Sequence, residues 1–429
     1  MPTRPLTAHG ARRAARVGVA AFTVAAVALT SSCGGNDRGT GTGGSPTSTT
    51  AAASNPAATV TTPSTTSPGG ASLAVTGPIS SPTQIGPAAG SELDLIDRDA
   101  GVSVRLRDGS TLWLFGDTAR ADEQGALVYF QIGTAAWAAA GEPAVTRDVA
   151  VNGEPVAFAT PTAEFPPCPA IAPTAGMWPS SAVVQPVGDR DRVIVWMENI
   201  CLGSSIRGAA RGMSVAEWYY DPAVPPTSEP IRARILNQTL FPQRSYGLAS
   251  IIDEDGSAIV YSCGSPEQGG PPEQYGPCSA AKVALDQVAN PMAYRAWNGR
   301  DWGGPPESAV PLAMAPSTAP YPAGSFSLTR DPGLGRFVMV YSPWPGYSDS
   351  LVIRTSASPT GPWGPPTLVP LPGCSDAEGA TTFWCYAASA QPIFSSPGRL
   401  GVGWYDRRVS SNPVRGSYLV ATVPYDAAG

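Results

Sequence analysis

Two carboxylates at the ends of a predicted β-hairpin are the residues of this chain best suited to do chemistry. Residues 102–106 alternate between apolar and polar side chains, as a half-buried strand does, and residues 111–115 are apolar and aromatic. The Asp-Gly pair at 108–109 tolerates the positive φ angles of a tight turn. Asp99 precedes the first strand and Asp117 follows the second, so an antiparallel hairpin brings both carboxylates to one edge of the sheet.

Two carboxyl groups in different protonation states can hydrolyse a glycosidic bond. One donates a proton to the leaving oxygen, and the other acts as a nucleophile or activates water. Asp99 and Asp117 are the first candidate pair, and the sequence does not assign the acid and the base between them. A separation of about 5–5.5 Å between the groups implies retention of configuration, and about 6.5–9.5 Å implies inversion. The other carboxylates in reach are Asp94, Asp97, Glu198 and Asp349.

Several other kinds of chemistry are excluded by residues that the sequence lacks. The only histidine, His9, lies in a segment expected to be removed, which excludes Ser-His-Asp and Cys-His catalysis in their usual forms. There is no glycine-rich phosphate loop and no Cys-x-x-Cys pair, so we expect neither a cofactor nor a metal. The net charge of −6, without a basic cluster, makes nucleic acid a poor partner.

The N-terminal segment predicts export with a lipid anchor. Residues 1–32 contain arginines followed by an uncharged run that is short for a permanent span, as in a signal peptide. The run ends Leu29-Thr30-Ser31-Ser32-Cys33, which resembles the bacterial lipobox, although Thr30 stands where leucine is preferred. Cys33 would then be lipidated and hold the protein on the outer face of the cell membrane, in the cell envelope. Plain secretion is the alternative.

The residues after Cys33 predict a tether and then a folded domain. Residues 33–82 are rich in Thr, Ser, Gly, Pro and Ala and have almost no large apolar residue, so they predict a disordered segment. The six remaining cysteines are expected to form disulfides in an exported protein. Sequence alone cannot choose among the pairings, and we expect neighbours to pair: Cys168–Cys201, Cys263–Cys278 and Cys374–Cys385.

A unit of short strand, glycine turn and apolar strand occurs five times. The apolar strands centre on Trp113, Val195, Val260, Val340 and Gly403. Their spacing of roughly 60 to 80 residues leaves room for about four strands in each unit, as in a propeller blade. With 47 Gly and 47 Pro and no long helical pattern, the sequence predicts an all-β, five-bladed β-propeller over residues 83–429. A β-sandwich is the alternative, and we expect a monomer.

Three stretches resemble motifs of one bacterial family. They are 98–118 (Arg-Asp-x-Gly-x-Ser, later Asp-Gly-x-Thr-Leu-Trp-Leu-Phe-Gly-Asp-Thr), 177–181 (Met-Trp-Pro-Ser-Ser) and 354–363 (Arg-Thr-Ser-x-x-Pro-x-Gly-Pro-Trp). The family was long known only as a domain of unknown function, and its members are now recognised as endo-D-arabinanases of mycobacterial cell-wall arabinan. The resemblance covers most of residues 90–410. It implies a five-bladed propeller glycoside hydrolase whose polysaccharide substrate contains arabinose, with Asp99 and Asp117 as catalytic residues.

The sequence departs from this family at one place. Members often carry His-Pro-Glu at the last inner strand, where this chain has Ala390-Gln391-Pro392-Ile393. This difference keeps open a second function, a propeller lipoprotein that binds glycan or acts as a scaffold without cleaving it.

Sugar binding needs flat aromatic side chains for the apolar ring faces and polar groups for the hydroxyls. The expected residues combine aromatics near the inner strand ends, small residues that begin those strands, one arginine, and the glutamine of the altered motif. They are Trp178, Ser181, Tyr246, Ser250, Trp344, Arg354, Tyr386 and Gln391.

Overall fold

Five small, mainly antiparallel sheets, arranged in a ring, form a five-bladed β-propeller. The computed structural model describes residues 72–88, 91, 93, 96–122, 126–203, 206–242, 246–263, 278–314, 322–343, 346–375, 384–407 and 416–426. They belong to one unit, Thr65–Gly429. Among these residues, no helix has both the length and the apolar character needed to cross a membrane.

Strands account for nearly all regular structure in this part of the chain. In chain order they are β1 (Thr83–Gln84), β2 (Gly86–Pro87), β3 (Ile96–Arg98), β4 (Val102–Arg105), β5 (Thr111–Ala121), β6 (Leu127–Ala138), β7 (Val145–Arg147), β8 (Thr174–Val187), β9 (Arg190–Gly203), β10 (Ile206–Tyr220), β11 (Arg234–Phe241), β12 (Ala249–Ile252), β13 (Ala258–Cys263), β14 (Cys278–Val283), β15 (Arg295–Ala296), β16 (Pro322–Asp331), β17 (Arg336–Pro343), β18 (Ser350–Ser356), β19 (Thr367–Pro370), β20 (Cys385–Ala390), β21 (Arg399–Asp406) and β22 (Ser417–Pro424). Short 3-10 turns occupy Leu285–Gln287, Pro291–Ala293, Pro306–Ser308 and Pro392–Phe394.

Each blade begins with an inner strand and proceeds outward. Blades two, three and four run β8 to β11, β12 to β15 and β16 to β19. Blade one has six strands rather than the expected four, because β3 and β4 both pair with β5 and because β2 adds to β7 at the outer edge. Blade five contains β20, β21 and β22, and its outer strand is β1 from the other end of the chain. The two ends of the domain therefore close the ring.

A glycine turn joins the first two strands of every blade, as the repeated unit predicted. The glycines share a positive φ angle, which residues with a Cβ rarely adopt. They are Gly109 (84°), Gly188 (60°), Gly256 (81°), Gly335 (63°) and Gly398 (74°). The five hairpins found in the sequence are thus the inner halves of the five blades.

The core lies between neighbouring blades. Residues 193–197 of β9 are fully buried. Nearly all residues of β13 and β17 are buried as well. Burying one large aliphatic side chain contributes about 1.5–3 kcal/mol, so these buried strands stabilise the contacts between blades. Trp113, Trp196 and Trp404 are among the largest fully buried side chains.

The domain begins earlier than the sequence predicted. Leu73 is buried in the core shared by blades four and five, and Val75 forms a bridge with Tyr425. The backbone N–H of Ser80 also donates to the carbonyl of Thr422. Residues 72–82, expected to be tether, therefore pack on the propeller, because the apolar pair Leu73 and Val75 interrupts the polar composition. The predicted signal peptide and the rest of the tether lie outside the described residues.

All three disulfides form between the neighbours that the sequence suggested. They are Cys168–Cys201, Cys263–Cys278 and Cys374–Cys385. Cys263 and Cys278 are partners in the ladder between β13 and β14, so this bond joins two strands of one blade.

Candidate active site

Asp99 lies in a break of the innermost strand of blade one. Arg98, at the end of β3, pairs with Thr118, and β4 resumes pairing with β5 at Val102. Between them the backbone N–H of Asp99 donates to the carbonyl of Asp117 at 3.1 Å. Ala100 follows with φ of +49°, a conformation disfavoured for a residue with a Cβ. The break turns the Asp99 carboxylate back toward β5.

Asp117 lies within β5, whereas the sequence placed it after that strand. Its backbone N–H donates to Oδ1 of Asp99 at 2.6 Å. Gly116, the residue before it, makes this contact possible, since a Cβ there would lie 2.6 Å from the same Oδ1 and 3.2 Å from the Ala100 Cβ. The Phe-Gly-Asp motif therefore contains a glycine because the Asp99 carboxylate packs against the strand backbone.

Tyr386 holds the other oxygen of Asp99. Its hydroxyl donates to Oδ2 of Asp99 at 2.6 Å, from blade five. Burial raises the pKa of Asp99, and the hydrogen bonds from Tyr386 and from the Asp117 backbone oppose this by stabilising the carboxylate. The Tyr386 ring packs edge-on against Tyr347 and Tyr405, with centroids 5.1 and 4.9 Å away. Asp99 is thus the carboxyl group with the stronger hydrogen-bond support for a negative charge.

Asp117 has a different environment. Its carboxylate accepts one side-chain hydrogen bond, from Nε1 of Trp178 on β8 at 2.7 Å. Burial and the neighbouring negative charge of Asp99 raise the pKa of Asp117 to about 8, against the effect of the Trp178 hydrogen bond. Between the two, the structure therefore favours Asp117 as the group that keeps a proton and Asp99 as the group that loses it.

Asp97 is a third acid behind this pair. It accepts hydrogen bonds from the Tyr405 hydroxyl at 2.9 and 3.0 Å and from the Gly416 backbone N–H at 2.7 Å. Burial raises the pKa of Asp97 to about 6, with a further contribution from the charge of Asp99. Tyr405 was not among the expected residues, although its register opposite Tyr386 in the β20–β21 pair could have indicated it.

Of this cluster, Asp99 and its partner Tyr386 line a central cavity of about 810 Å³, together with Trp178, the partner of Asp117. All five inner strands line it, from Asp99, Trp178 and Tyr386 at one end to Glu254 and Arg330 at the other. Each inner strand contributes at least one serine to this lining: Ser103, Ser180 and Ser181, Ser250, Ser327 and Ser389. The cavity joins Asp99 to a space lined by serines and aromatic rings that can hold a sugar.

Four of the expected sugar-binding residues line this cavity, namely Trp178, Ser181, Ser250 and Tyr386. Ser181 is committed to the carbonyl of Gly247 at 2.6 Å. The Ser250 hydroxyl is buried and has no hydrogen-bond partner among the described residues. Trp178 and Tyr386 hold Asp117 and Asp99, so their positions tie binding to the acidic pair.

The other expected residues are placed elsewhere. Tyr246 is fully buried and its hydroxyl donates to the carbonyl of Pro306, away from the cavity. Arg354 is also buried, and its guanidinium donates to the Tyr341 hydroxyl and the Gly364 carbonyl. Neither side chain can contact a substrate, because both are buried in the core. Trp344 lies outside the described residues.

Gln391, in the altered motif, ties blade five to blade one instead of facing the cavity. Its side chain is fully buried. Nε2 donates to the Gly101 carbonyl at 3.0 Å and to the Tyr418 hydroxyl at 2.8 Å, and Oε1 accepts from Ser103 at 2.5 Å. The substitution of the motif therefore puts a structural residue at this position.

The remaining candidate carboxylates differ in position. Glu198 lines the cavity and is the cross-strand partner of Trp178. Asp349 accepts from the neighbouring Ser350 hydroxyl in the loop before β18. Asp94 is outside the described residues. Among the described residues, one group has the spacing of metal ligands, Cys374, Cys385 and Asp406. Its two thiols are joined in a disulfide, so they cannot act as thiolate ligands.

A family profile described as "Domain of unknown function (DUF4185)" matches residues 217–403. This match covers less than half of the chain and begins after Asp99 and Asp117. A search of curated proteins returns no match.

Solved structures share the fold. A protein of Bacteroides ovatus ATCC 8483, provisionally described as a hydrolase, aligns with a TM-score of 0.52 and 13% identity over 76% of this chain and 85% of that one. The GH43_1 enzyme from Xanthomonas citri complexed with xylose has a TM-score of 0.43 and 11% identity, over 78% and 90% of the two chains. CoXyl43, a GH43 beta-xylosidase/alpha-arabinofuranosidase from a compost microbial metagenome, has 0.44 and 10%, over 81% and 97%. At these identities the first likeness shows the propeller fold alone, and the other two carry no further argument.

Proposed function

We propose that this protein is a glycoside hydrolase whose catalytic pair is Asp99 and Asp117. The observation that carries the proposal is that two adjoining carboxyl groups differ in their hydrogen bonds and in the shift of their pKa. Asp99 accepts hydrogen bonds from Tyr386 and from the Asp117 backbone, whereas the pKa of Asp117 is raised to about 8 by burial and by Asp99. Such a pair supplies an acid and a base at the same pH, as glycoside hydrolysis requires.

In this proposal Asp117 is the general acid. Its proton goes to the glycosidic oxygen as the bond to the anomeric carbon breaks, so the leaving sugar departs as a neutral alcohol. The Asp99 carboxylate faces the positive charge that develops on the sugar ring. It either bonds to the anomeric carbon or removes a proton from an attacking water. Trp178 and Tyr386 position the two acids and give the ring flat surfaces to contact.

We further propose an arabinose-containing glycan of the cell envelope as the substrate. The support is the resemblance of residues 98–118 and 177–181 to endo-D-arabinanases, together with a cavity that offers serines and aromatic rings. The Asp99 carboxylate in its lining favours a neutral sugar over an anionic one, because like charges repel.

The proposed location is the outer face of the cell membrane, through lipidation of Cys33. The support is the sequence of residues 1–33 alone. A Cys33→Ser variant tests it: the lipoprotein should partition into detergent and the variant should appear in the medium or the soluble fraction. Equal partitioning of both forms would contradict the anchor.

Release of reducing ends from arabinogalactan and lipoarabinomannan tests the proposed activity. The purified full-length protein is compared with Asp99→Asn and Asp117→Asn. We expect release by the wild type and a loss of about 10²–10⁴-fold in each variant, the usual contribution of a positioned acid or base. Full activity in Asp117→Asn would overturn the assignment. Binding of the glycan without any release by the wild type would favour the non-catalytic alternative.

A further inference from the structure

The hairpin that carries Asp117 extends past the cavity on the same face of the domain. In the β5–β6 ladder, Asp117 pairs with Ile132, and the next pair on the same side of the sheet is Ala119 with Phe130. Side chains two residues apart in a strand point to the same face and lie about 7 Å apart. Phe130 is therefore about one strand repeat beyond the candidate acid and shares its side of the sheet.

This side of the hairpin faces blade two. Ile132 packs directly on Gly176 of β8. A Cβ added at Gly176 would lie only 2.5 Å from Ile132 Cδ1. Two residues further out, Phe130 on one strand and Thr174 on the other are both exposed. The two blades thus touch at Ile132 and Gly176, and the residues beyond that contact, Phe130 and Thr174, lie at the surface. On the inner side of that contact, a hydrogen bond joins Trp178 of blade two to Asp117 of blade one.

Phe130 is a large aromatic residue at an exposed strand position, which is unusual. It is 44% exposed, and Val128 on the same side is 52% exposed. The opposite side of the hairpin is held down, since Tyr129 donates to the Pro155 carbonyl at 2.6 Å and Arg120 to the Gly153 carbonyl at 3.0 Å. An apolar surface on a fixed support, next to a candidate active site, favours a binding role.

We infer that Phe130 is a sugar-stacking residue of a distal subsite, on the exposed surface beyond the contact between blades one and two. This inference rests on the proposed function. The occupant is a neutral glycan chain that continues outward from the residue held at Asp99 and Asp117, because Phe130 lies about one strand repeat beyond Asp117 on the same side of the sheet. A fixed aromatic ring stacks on the apolar face of a sugar and leaves the hydroxyls in water. Substrates long enough to reach Phe130 are then preferred over shorter ones.

Phe130→Ala tests this inference, with Tyr219→Ala as the matched control. Tyr219 is 46% exposed and pairs with Arg192, at the opposite end of its blade from Glu198. Activity is measured on arabinan from arabinogalactan and on its oligosaccharides of increasing length. We expect Phe130→Ala to lower kcat/KM by about tenfold on the polymer and long oligosaccharides and to leave the shortest cleaved substrate unaffected. Tyr219→Ala should match the wild type throughout.

A second measurement reads binding without catalysis. Asp117→Asn and the double variant Asp117→Asn/Phe130→Ala are run in native gels that contain arabinogalactan. The single variant should be retarded and the double variant retarded less. Equal retardation, or a loss of activity in Phe130→Ala that is the same for every chain length, would overturn the distal subsite. If the wild type cleaves nothing, the proposed hydrolysis fails, and the gels alone decide on Phe130.

Discussion

The backbone N–H of Asp117 donates a hydrogen bond to the side chain of Asp99 at 2.6 Å, so the residue that carries one acid also binds the carboxylate of the other. The same strand position therefore supplies one carboxyl group and stabilises the charge of the other. Because the two groups interact strongly, their pKa values belong to the pair, and a pH profile of activity reports both. Single changes around the pair should move one limb of that profile at a time.

Trp178→Phe should move the alkaline limb of kcat/KM to higher pH. The Trp178 Nε1–H bond to Asp117 favours its ionised form, so removing the donor raises the pKa of Asp117 above its value of about 8. The acid then keeps its proton over a wider range. The measurement is kcat/KM from pH 4 to 10 for the variant and the wild type. An alkaline limb that stays in place or falls would contradict the role of Asp117 as the acid.

Tyr386→Phe should move the acidic limb to higher pH. The Tyr386 hydroxyl stabilises the charged form of Asp99, so its loss raises the pKa of Asp99 and leaves less carboxylate at low pH. The ring remains, and its packing on Tyr347 and Tyr405 should keep the fold. The same pH series measures this change. A profile that only falls in height, with both limbs in place, would show that the hydroxyl does not act on Asp99 ionisation.

Gly116→Ala should abolish activity and leave the fold intact. The added Cβ would lie 2.6 Å from Asp99 Oδ1, so the carboxylate has to leave its place on the β5 backbone. Gly303→Ala is the control, since its Cβ would meet only Asn298 Nδ2 at 3.9 Å and no positive φ is involved. Reducing-end release and the melting temperature are measured together. Normal activity in Gly116→Ala would mean that Asp99 can act from another position.

Much of this architecture could be predicted from the sequence because its determinants are local. The five glycine turns and the apolar strands between them are short-range patterns, and they located the inner hairpins of all five blades. The disulfides followed from sequence proximity. The position of Asp117 beside Asp99 also followed, since a hairpin fixes which ends are neighbours.

The partners from other blades could not be predicted in this way. Tyr386 reaches Asp99 across 287 positions, and Gly416 reaches Asp97 across 319, so only closure of the ring brings them together. Arg354 and Tyr246 looked available for sugars because the sequence does not show which aromatic or charged residues the interfaces between blades will bury. Gln391 was expected to bind sugar for the same reason, but its amide N–H groups are already hydrogen-bonded to Tyr418 and Gly101.

Removal of the Cys263–Cys278 bond should destabilise the domain without changing the site. The bond closes a loop of 15 residues, for which the chain-entropy model gives about 3 kcal/mol in the free energy of unfolding. The double variant Cys263→Ser/Cys278→Ser is compared with the wild type by urea unfolding and by reducing-end release at a permissive temperature. We expect a lower midpoint with kcat unchanged. A fall in kcat at full folding would place this disulfide in the catalytic machinery instead.

The stability of the domain should fall as the pH rises toward 8, and Asp117 should be a main cause. Its pKa is about 8 in the folded protein and near 3.8 in the unfolded chain, so the folded state holds the proton more tightly. The stabilisation from this proton is complete below about pH 4 and is lost as the pH rises through about 8. Asp117→Asn removes the titration and leaves a neutral group of similar shape.

The difference in melting temperature between Asp117→Asn and the wild type should therefore grow in favour of the variant from pH 5 to pH 8. Asp286→Asn, at an exposed position of the Leu285–Gln287 turn, controls for the loss of one negative charge. A constant difference across this range for Asp117→Asn would show that Asp117 titrates alike in the folded and unfolded states. The acid assigned to catalysis would then lack the raised pKa on which its role depends.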